Sequence, residues 1–186
     1  MDDGAIIELF FARSEQAIRE LDDKYGKACR GLSYRILRNR RDAEECVNDA
    51  YLGAWNAIPP ARPDPLPAFL YRIVRNISIA RYHADAAAKR GGGSYAAALE
   101  ELEGCLASPQ TVEGELEERE LVRLIEGFLD SLSPENRVLL MRRYWFSDSY
   151  GEIAARTGLS EKNVSVRLSR IRKQLRHYFE ERGVLS

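Results

Sequence analysis

The chain has 186 residues, 45% hydrophobic and 31% charged, with a formal net charge of −1. That composition suits one medium or two small soluble globular domains, and it excludes a disordered or fibrous polypeptide. Three scattered cysteines (Cys29, Cys46, Cys105) and two histidines (His83, His177) argue against a disulfide framework or a zinc site, and the near-neutral total means that any nucleic-acid signal must be local.

The chain opens on MDDGAIIELFF, in which acid precedes a short apolar run. A secretory signal would be basic there. No apolar run approaches the roughly 18 residues of a membrane span, so a cytoplasmic protein without direct membrane insertion is expected. Leu21 to Leu37 reads as a helix, and Arg41 to Ile58 as another, with Ala43, Val47, Ala50, Ala54 and Ile58 on one stripe. On that second helix Asp42, Glu45 and Asp49 fall three and four residues apart and share a face. Carboxylates so spaced can hold a divalent cation, but no histidine or glycine loop accompanies them, and a solvated or partner-facing acidic face is the commoner outcome. Tyr51 and Trp55 lie near it, and serve either a protein interface or the core.

IPPARPDPLPAFL then holds five of the seven prolines. Proline lacks the amide donor and fixes φ, so an ordered loop is expected, with Pro67 in the first turn of the next helix. That helix sends Leu70, Ile73, Val74 and Ile77 inward and leaves Arg72, Arg75, Asn76 and Tyr82 largely outward. Arg90-Gly91-Gly92-Gly93-Ser94 marks a break, since consecutive glycines disfavour helix. Beyond it Tyr95, Ala98, Leu99, Leu102 and Leu106 recur at the spacing of a short amphipathic helix, and Ser108-Pro109 punctuates.

In the second half Leu121, Leu124, Ile125, Phe128, Leu129 and Leu132 form one helical stripe. Ser133-Pro134-Glu135 has the order of a helix start: hydroxyl cap, proline at the first position, then a carboxylate near the positive end of the dipole. Its helix carries Val138, Leu139, Met141 and Tyr144. A short helix over Gly151–Arg156 follows, then a Thr157-Gly158-Leu159 turn and a Ser160 cap. The last helix buries Val164, Leu168, Ile171 and Leu175, and its other faces show Lys162, Asn163, Ser165, Arg167, Ser169, Arg170 and Lys173. This is a helix-turn-helix layout, whose second helix enters the major groove N-terminus first. Arg grips guanine, Asn grips adenine, and Ser serves several bases. Arg172, Lys173 and Arg176, further along, suit phosphate.

Charge is segregated to match. Residues 62–90 carry six basic against two acidic side chains, 86–126 carry nine glutamates against four basic residues, and 160–177 carry six basic against one acidic. Two basic islands flanking an acidic middle are a pattern that can hide a nucleic-acid binder inside a neutral total, although a basic amphipathic helix by itself is more often a solvated surface helix. The expected fold is therefore all-α: two small helical domains, over 1–88 and 113–186, joined by a flexible acidic linker over 89–112, the second containing the helix-turn-helix.

Two separate stretches carry a family resemblance. DAEECVNDAYLGAW with LPAFLYRIVRNISIARYH resembles the first folded domain of the extracytoplasmic-function (ECF) sigma factors of bacterial RNA polymerase, and LDSLSPENRVLLMRRYWFSDSYGEIAARTGLSEKNVSVRLSRIRKQL resembles their second. The resemblance implies that Asp42, Glu45, Asn48, Asp49, Leu52 and Trp55 dock on core RNA polymerase. It implies that Tyr71, Arg72, Arg75 and Asn76 engage the −10 promoter element and its melting, where an unstacked base needs a pocket and a cationic wall. It assigns reading of the −35 element to Lys162, Asn163, Ser165, Val166, Arg167, Ser169, Arg170 and Lys173. Here Ser165 stands where the family commonly has a basic residue, and Val166 where it commonly has serine; a valine can touch a thymine methyl. Core polymerase, promoter DNA and an anti-sigma factor are the implied partners. No small-molecule substrate, metal, cofactor or enzymatic activity is expected. The alternative is a stand-alone two-domain helix-turn-helix regulator.

Overall fold

The structure, a computed structural model, describes residues 1–85, 93–106 and 118–185. The chain divides into two compact units, Met1–Gly93 and Ser94–Ser186. The described residues form helices and turns, without strands.

The first unit holds α1 (Asp3–Phe11), α2 (Gln16–Leu37), α3 (Arg40–Ala57) and α4 (Leu66–Ala84). The long α2, α3 and α4 pack on one another, and α1 lies on α2. Their shared core includes Leu21, Leu32, Ile36, Val47, Leu70 and Val74. Each boundary has a local cause. Asn39 caps α3 through its side-chain oxygen, which accepts from the amides of Arg41 and Asp42; Pro67 sits in the first turn of α4. The sequence reading anticipated α3 and α4 and started α2 five residues late, at Leu21.

It did not anticipate α1. That helix is capped by Asp2, whose carboxylate accepts from the Ala5 amide. It buries Ile6 and Phe10 completely, each contributing on the order of 1.5–3 kcal/mol. Its acidic end is tied to α2, where Lys24 and the Tyr25 hydroxyl donate to Asp3 at 2.7 and 2.6 Å. Its far end meets the proline loop: Arg62 pairs with Glu8 at 2.5 Å and lies over the Phe11 ring.

The second unit holds α5 (Ser94–Leu106), α6 (Glu118–Ser131), α7 (Pro134–Leu140), a π turn over Met141–Trp145, α8 (Tyr150–Thr157) and α9 (Glu161–Glu180). Leu139, Ile153, Val164, Leu168 and Ile171 sit at the centre of its core, with Phe128, Leu132, Leu140, Leu175 and Phe179 around them. On α6, Leu121 and Ile125 of the expected stripe are exposed, by 37% and 41%, and the apolar residues of α7 divide between inside and outside. Val138 is 48% exposed, and Leu140 takes the buried place beside Leu139. A run of four apolar residues, Val138 to Met141, does not by itself fix which side of a helix faces in.

Of the connector expected over 89–112, residues 94–106 are the ordered helix α5, which packs on α9 and the π turn. Tyr95 and Ala98 are buried, and Leu102 and Leu106 lie against the core. The expected connector residues 89–92 and 107–112, with the Gly91-Gly92 and Ser108-Pro109 signals, lie outside the described residues.

Candidate functional site

The helix-turn-helix is built from three local devices. Ser149 and Glu152 form a capping box at the start of α8: the Ser149 hydroxyl accepts from the Glu152 amide, and the Glu152 carboxylate accepts from the Ser149 amide at 2.7 Å. Gly158 ends α8 at φ 75°, in the left-handed region that glycine enters without penalty. Ser160 then caps α9 by accepting from the Asn163 amide at 3.1 Å. Ile153 of α8 and Val164, Leu168 and Ile171 of α9 are all buried, which fixes the crossing of the two helices.

This geometry places the candidate DNA-reading residues unequally. Lys162, Asn163, Val166, Arg170 and Lys173 are exposed on one outward arc of α9, and Ser165 and Ser169 are half-buried at its edge. Arg167 is turned aside, where it donates to Glu135 at 3.1 Å. Arg172 and Arg176 also leave the arc. Arg172 donates to Glu101 at 3.2 Å and to the Tyr144 hydroxyl at 2.8 Å, while Arg176 donates to Glu180 and to the Cys105 carbonyl. Of the three cations read from the sequence as phosphate contacts, Lys173 is the one directed outward.

In the first unit, α4 presents Arg72 and Asn76 one turn apart and exposed, with Arg75 and Tyr71 half-buried beside them. The Tyr71 ring meets Tyr25 edge-on at 6.2 Å between centroids, so it serves packing as well as facing outward. The Arg72 guanidinium lies 5.8 Å from the Phe69 ring.

On α3, Glu45, Asn48, Asp49 and Leu52 are exposed, Leu52 by 59%, and Asp42 and Trp55 are partly covered. Asn48, Leu52 and Trp55 line one open groove with Glu15 and Ile18 of the preceding turn and helix. Tyr51, which the sequence left between interface and core, is only 6% exposed, and its hydroxyl donates to Asp22 at 2.7 Å. Burial and that carboxylate push the Tyr51 phenol far up. Trp55 is held by Phe10 at 6.0 Å and by Arg13, whose guanidinium lies over its ring and donates to its carbonyl.

One participant was not read from the sequence. Arg81 of α4 reaches across to α3, donating toward Glu45 at 3.4 Å and Asp42 at 3.5 Å, and it also pairs with Asp85. The Glu45 and Asp42 charges, with Asp85, hold the Arg81 guanidinium above its ordinary value. The acidic face is therefore partly neutralised at its N-terminal end and stays acidic toward Asp49. Among the described residues no group of three or more His, Cys, Asp or Glu side chains is placed to hold a metal ion. No helix among them is long and apolar enough to cross a membrane.

Two family models match the two units separately. Residues 21–87 match the family model for sigma-70 region 2, and residues 123–175 match that for sigma-70 region 4. The ECF RNA polymerase sigma factor SigE of Mycolicibacterium smegmatis is 28% identical over 79% of this chain, which spans 55% of that protein. The ECF RNA polymerase sigma factor SigL of Mycobacterium tuberculosis is 27% identical over 93% of this chain and 95% of its own length. A solved structure of CnrH in complex with the cytosolic domain of CnrY is 24% identical, covers 96% of this chain and 97% of that one, and superposes with a TM-score of 0.45. With region 2 on the first compact unit and region 4 on the second, in that order, the chain belongs to the ECF sigma factors of bacterial RNA polymerase.

Proposed function

We propose that the chain binds core RNA polymerase and directs initiation at promoters whose −10 and −35 elements it recognises. The observation that carries this reading is the match of both sigma-70 regions to two separate units, each with an exposed face of suitable chemistry. Asp49, Asn48 and Leu52, with Trp55 beside them, form the polymerase-docking face, and Asp42 and Glu45 extend it through their pairing with Arg81. Arg72 and Asn76 face the −10 element and its opened strand, backed by Arg75 and Tyr71. Lys162, Asn163, Val166, Arg170 and Lys173 enter the major groove at the −35 element, with Ser165 and Ser169 at the edge and Arg167 reaching DNA on leaving Glu135. The protein acts by binding rather than catalysis, in the cytoplasm, and an anti-sigma factor is its expected regulator.

The test is complex formation with bacterial core polymerase on a sizing column, with Asp49→Arg as control. A one-to-one complex that Asp49→Arg abolishes is the expected result, because the substitution reverses charge on an exposed face without touching the core. No complex, together with tight duplex binding by the chain alone, would instead establish a stand-alone regulator.

A further inference from the structure

Glu101 belongs to α5, outside the 123–175 stretch that matches sigma-70 region 4, yet its carboxylate gathers side chains from three elements of the DNA-reading unit. From the π turn, Arg143 donates to both oxygens, at 3.2 and 2.7 Å, and the Tyr144 hydroxyl donates at 3.0 Å. From α8, the Tyr150 hydroxyl donates at 2.8 Å, and from α9 Arg172 donates at 3.2 Å. A carboxylate offers about four lone-pair sites, so these five bonds saturate it. The Arg143 guanidinium is itself fixed on every side: it donates also to Ser94 and to the Asp148 carbonyl, and lies 4.7 Å from the Tyr150 ring centroid. Beside this cluster the Cys105 thiol donates to the Arg172 carbonyl at 3.0 Å.

We propose that Glu101 is a positioning residue for DNA reading. It ties the first turn of α8 and the π turn to the C-terminal half of α9, and so sets the angle at which the outward arc of α9 meets the groove. It also occupies Arg172, so that phosphate contact on this helix falls to Lys173. Arg172 acts through Glu101, not on DNA. The proposal rests on the reading of α9 as the −35-recognition helix, and it adds a residue and a helix outside the matched region.

The test uses the full chain bound to core polymerase. The probes are a duplex selected from a random library by the wild-type complex and a scrambled duplex of the same composition, each titrated by fluorescence anisotropy across a salt series. Losing one phosphate contact lowers the slope of log affinity against log salt by about 0.9. Lys173→Gln is expected to show that loss, and Arg172→Gln to leave the slope unchanged. Glu101→Gln, which keeps the shape and apolar contacts of α5, is expected to cut the selected-to-scrambled affinity ratio by about tenfold, within the range a misplaced base contact costs. The Glu101→Gln, Arg172→Gln double variant is expected to be no worse than the poorer single one, since the two act as a unit.

A purely structural role would lower the melting temperature and leave that ratio alone. Tyr150→Phe removes one hydroxyl from the cluster while keeping the ring over Arg143, and serves if Glu101→Gln does not fold; a ratio reduced about threefold is expected there. An unchanged ratio in the folded variants, or an Arg172→Gln slope that falls as the Lys173→Gln slope does, would overturn the proposal. Failure of the wild-type chain to bind polymerase would overturn the sigma reading instead. The same ratio, measured on the chain alone with a duplex it selects by itself, would then still decide the role of Glu101.

Discussion

Ser33 of α2 and Ser78 of α4 are both fully buried, and their hydroxyl oxygens lie 2.8 Å apart. Ser78 also donates to the Val74 carbonyl at 2.7 Å, which commits its one proton. Ser33 must therefore be the donor to Ser78. The two substitutions to alanine are then unequal. Ser33→Ala leaves Ser78 with its bond to Val74, whereas Ser78→Ala leaves the Ser33 proton buried without that acceptor. A stranded buried donor costs about 1–3 kcal/mol, against roughly 0.5–1.5 kcal/mol for an ordinary bond exchanged with water. Urea unfolding should find Ser78→Ala the more destabilising of the two; equal losses would show that Ser33 finds another acceptor. Cys29, in the same core, is fully buried, and burial pushes its thiol up to about 12. A thiol-labelling reagent at neutral pH should leave it unmodified in the native protein and reach it only on unfolding. Labelling at the rate of a free thiol would contradict the packing of α2 against its neighbours.

At the scale of elements, the turn between α8 and α9 depends on Gly158 at φ 75°, where a Cβ has open space but the backbone conformation is unfavourable. Gly158→Ala should cost about 1–2 kcal/mol from that strain alone, read as a lowered denaturant midpoint with the slope unchanged. An undiminished midpoint would mean that the turn relaxes out of the left-handed region. This turn was legible in the sequence because cap, glycine and apolar spacing all act within a few residues. The outward arc of α9 was legible for the same reason, since Val164, Leu168, Ile171 and Leu175 leave no choice of inner face. The short α1 was not, because AIIELFF is apolar on nearly every side and shows no stripe. The burial of Arg143 was also hidden: an arginine 5% exposed needs a carboxylate, and Glu101 stands far away in sequence. The diversions of Arg167 to Glu135, Arg172 to Glu101, and Arg81 to Asp42 and Glu45 share that cause. Charge counting locates a basic face, but it cannot show which cations are already paired by a helix from elsewhere in the chain.

At the scale of the whole molecule, the boundary between units decides what the second one needs in order to fold. A cut before residue 113 follows the sequence punctuation and discards α5. A cut between Gly93 and Ser94 keeps it. What α5 supplies is substantial: Tyr95 and Ala98 buried, Leu102 and Leu106 against the core, and the carboxylate that meets Arg143. Removing one partner of a buried ion pair typically costs about 3–5 kcal/mol, and in a domain of this size each kcal/mol moves the melting temperature by about 4–8 °C. A 94–186 fragment should therefore melt at least about 10 °C above a 113–186 fragment. The ion-pair share should depend on pH. Burial alone would raise the Glu101 carboxyl, but its bonds from Arg143, Tyr150 and Tyr144 outweigh that and hold it below its ordinary value of 4.5. A carboxyl depressed in the folded state stabilises fully above its unfolded value, and loses that contribution as pH falls through the folded one. The gap between the 94–186 fragment and its Glu101→Gln form should thus stay constant from neutral pH down to about 5, then close as the solution is made more acidic. A gap that persisted below the folded value would show that the carboxylate charge is not its source, and a 113–186 fragment as stable as 94–186 would show that the DNA-reading unit does not need this helix.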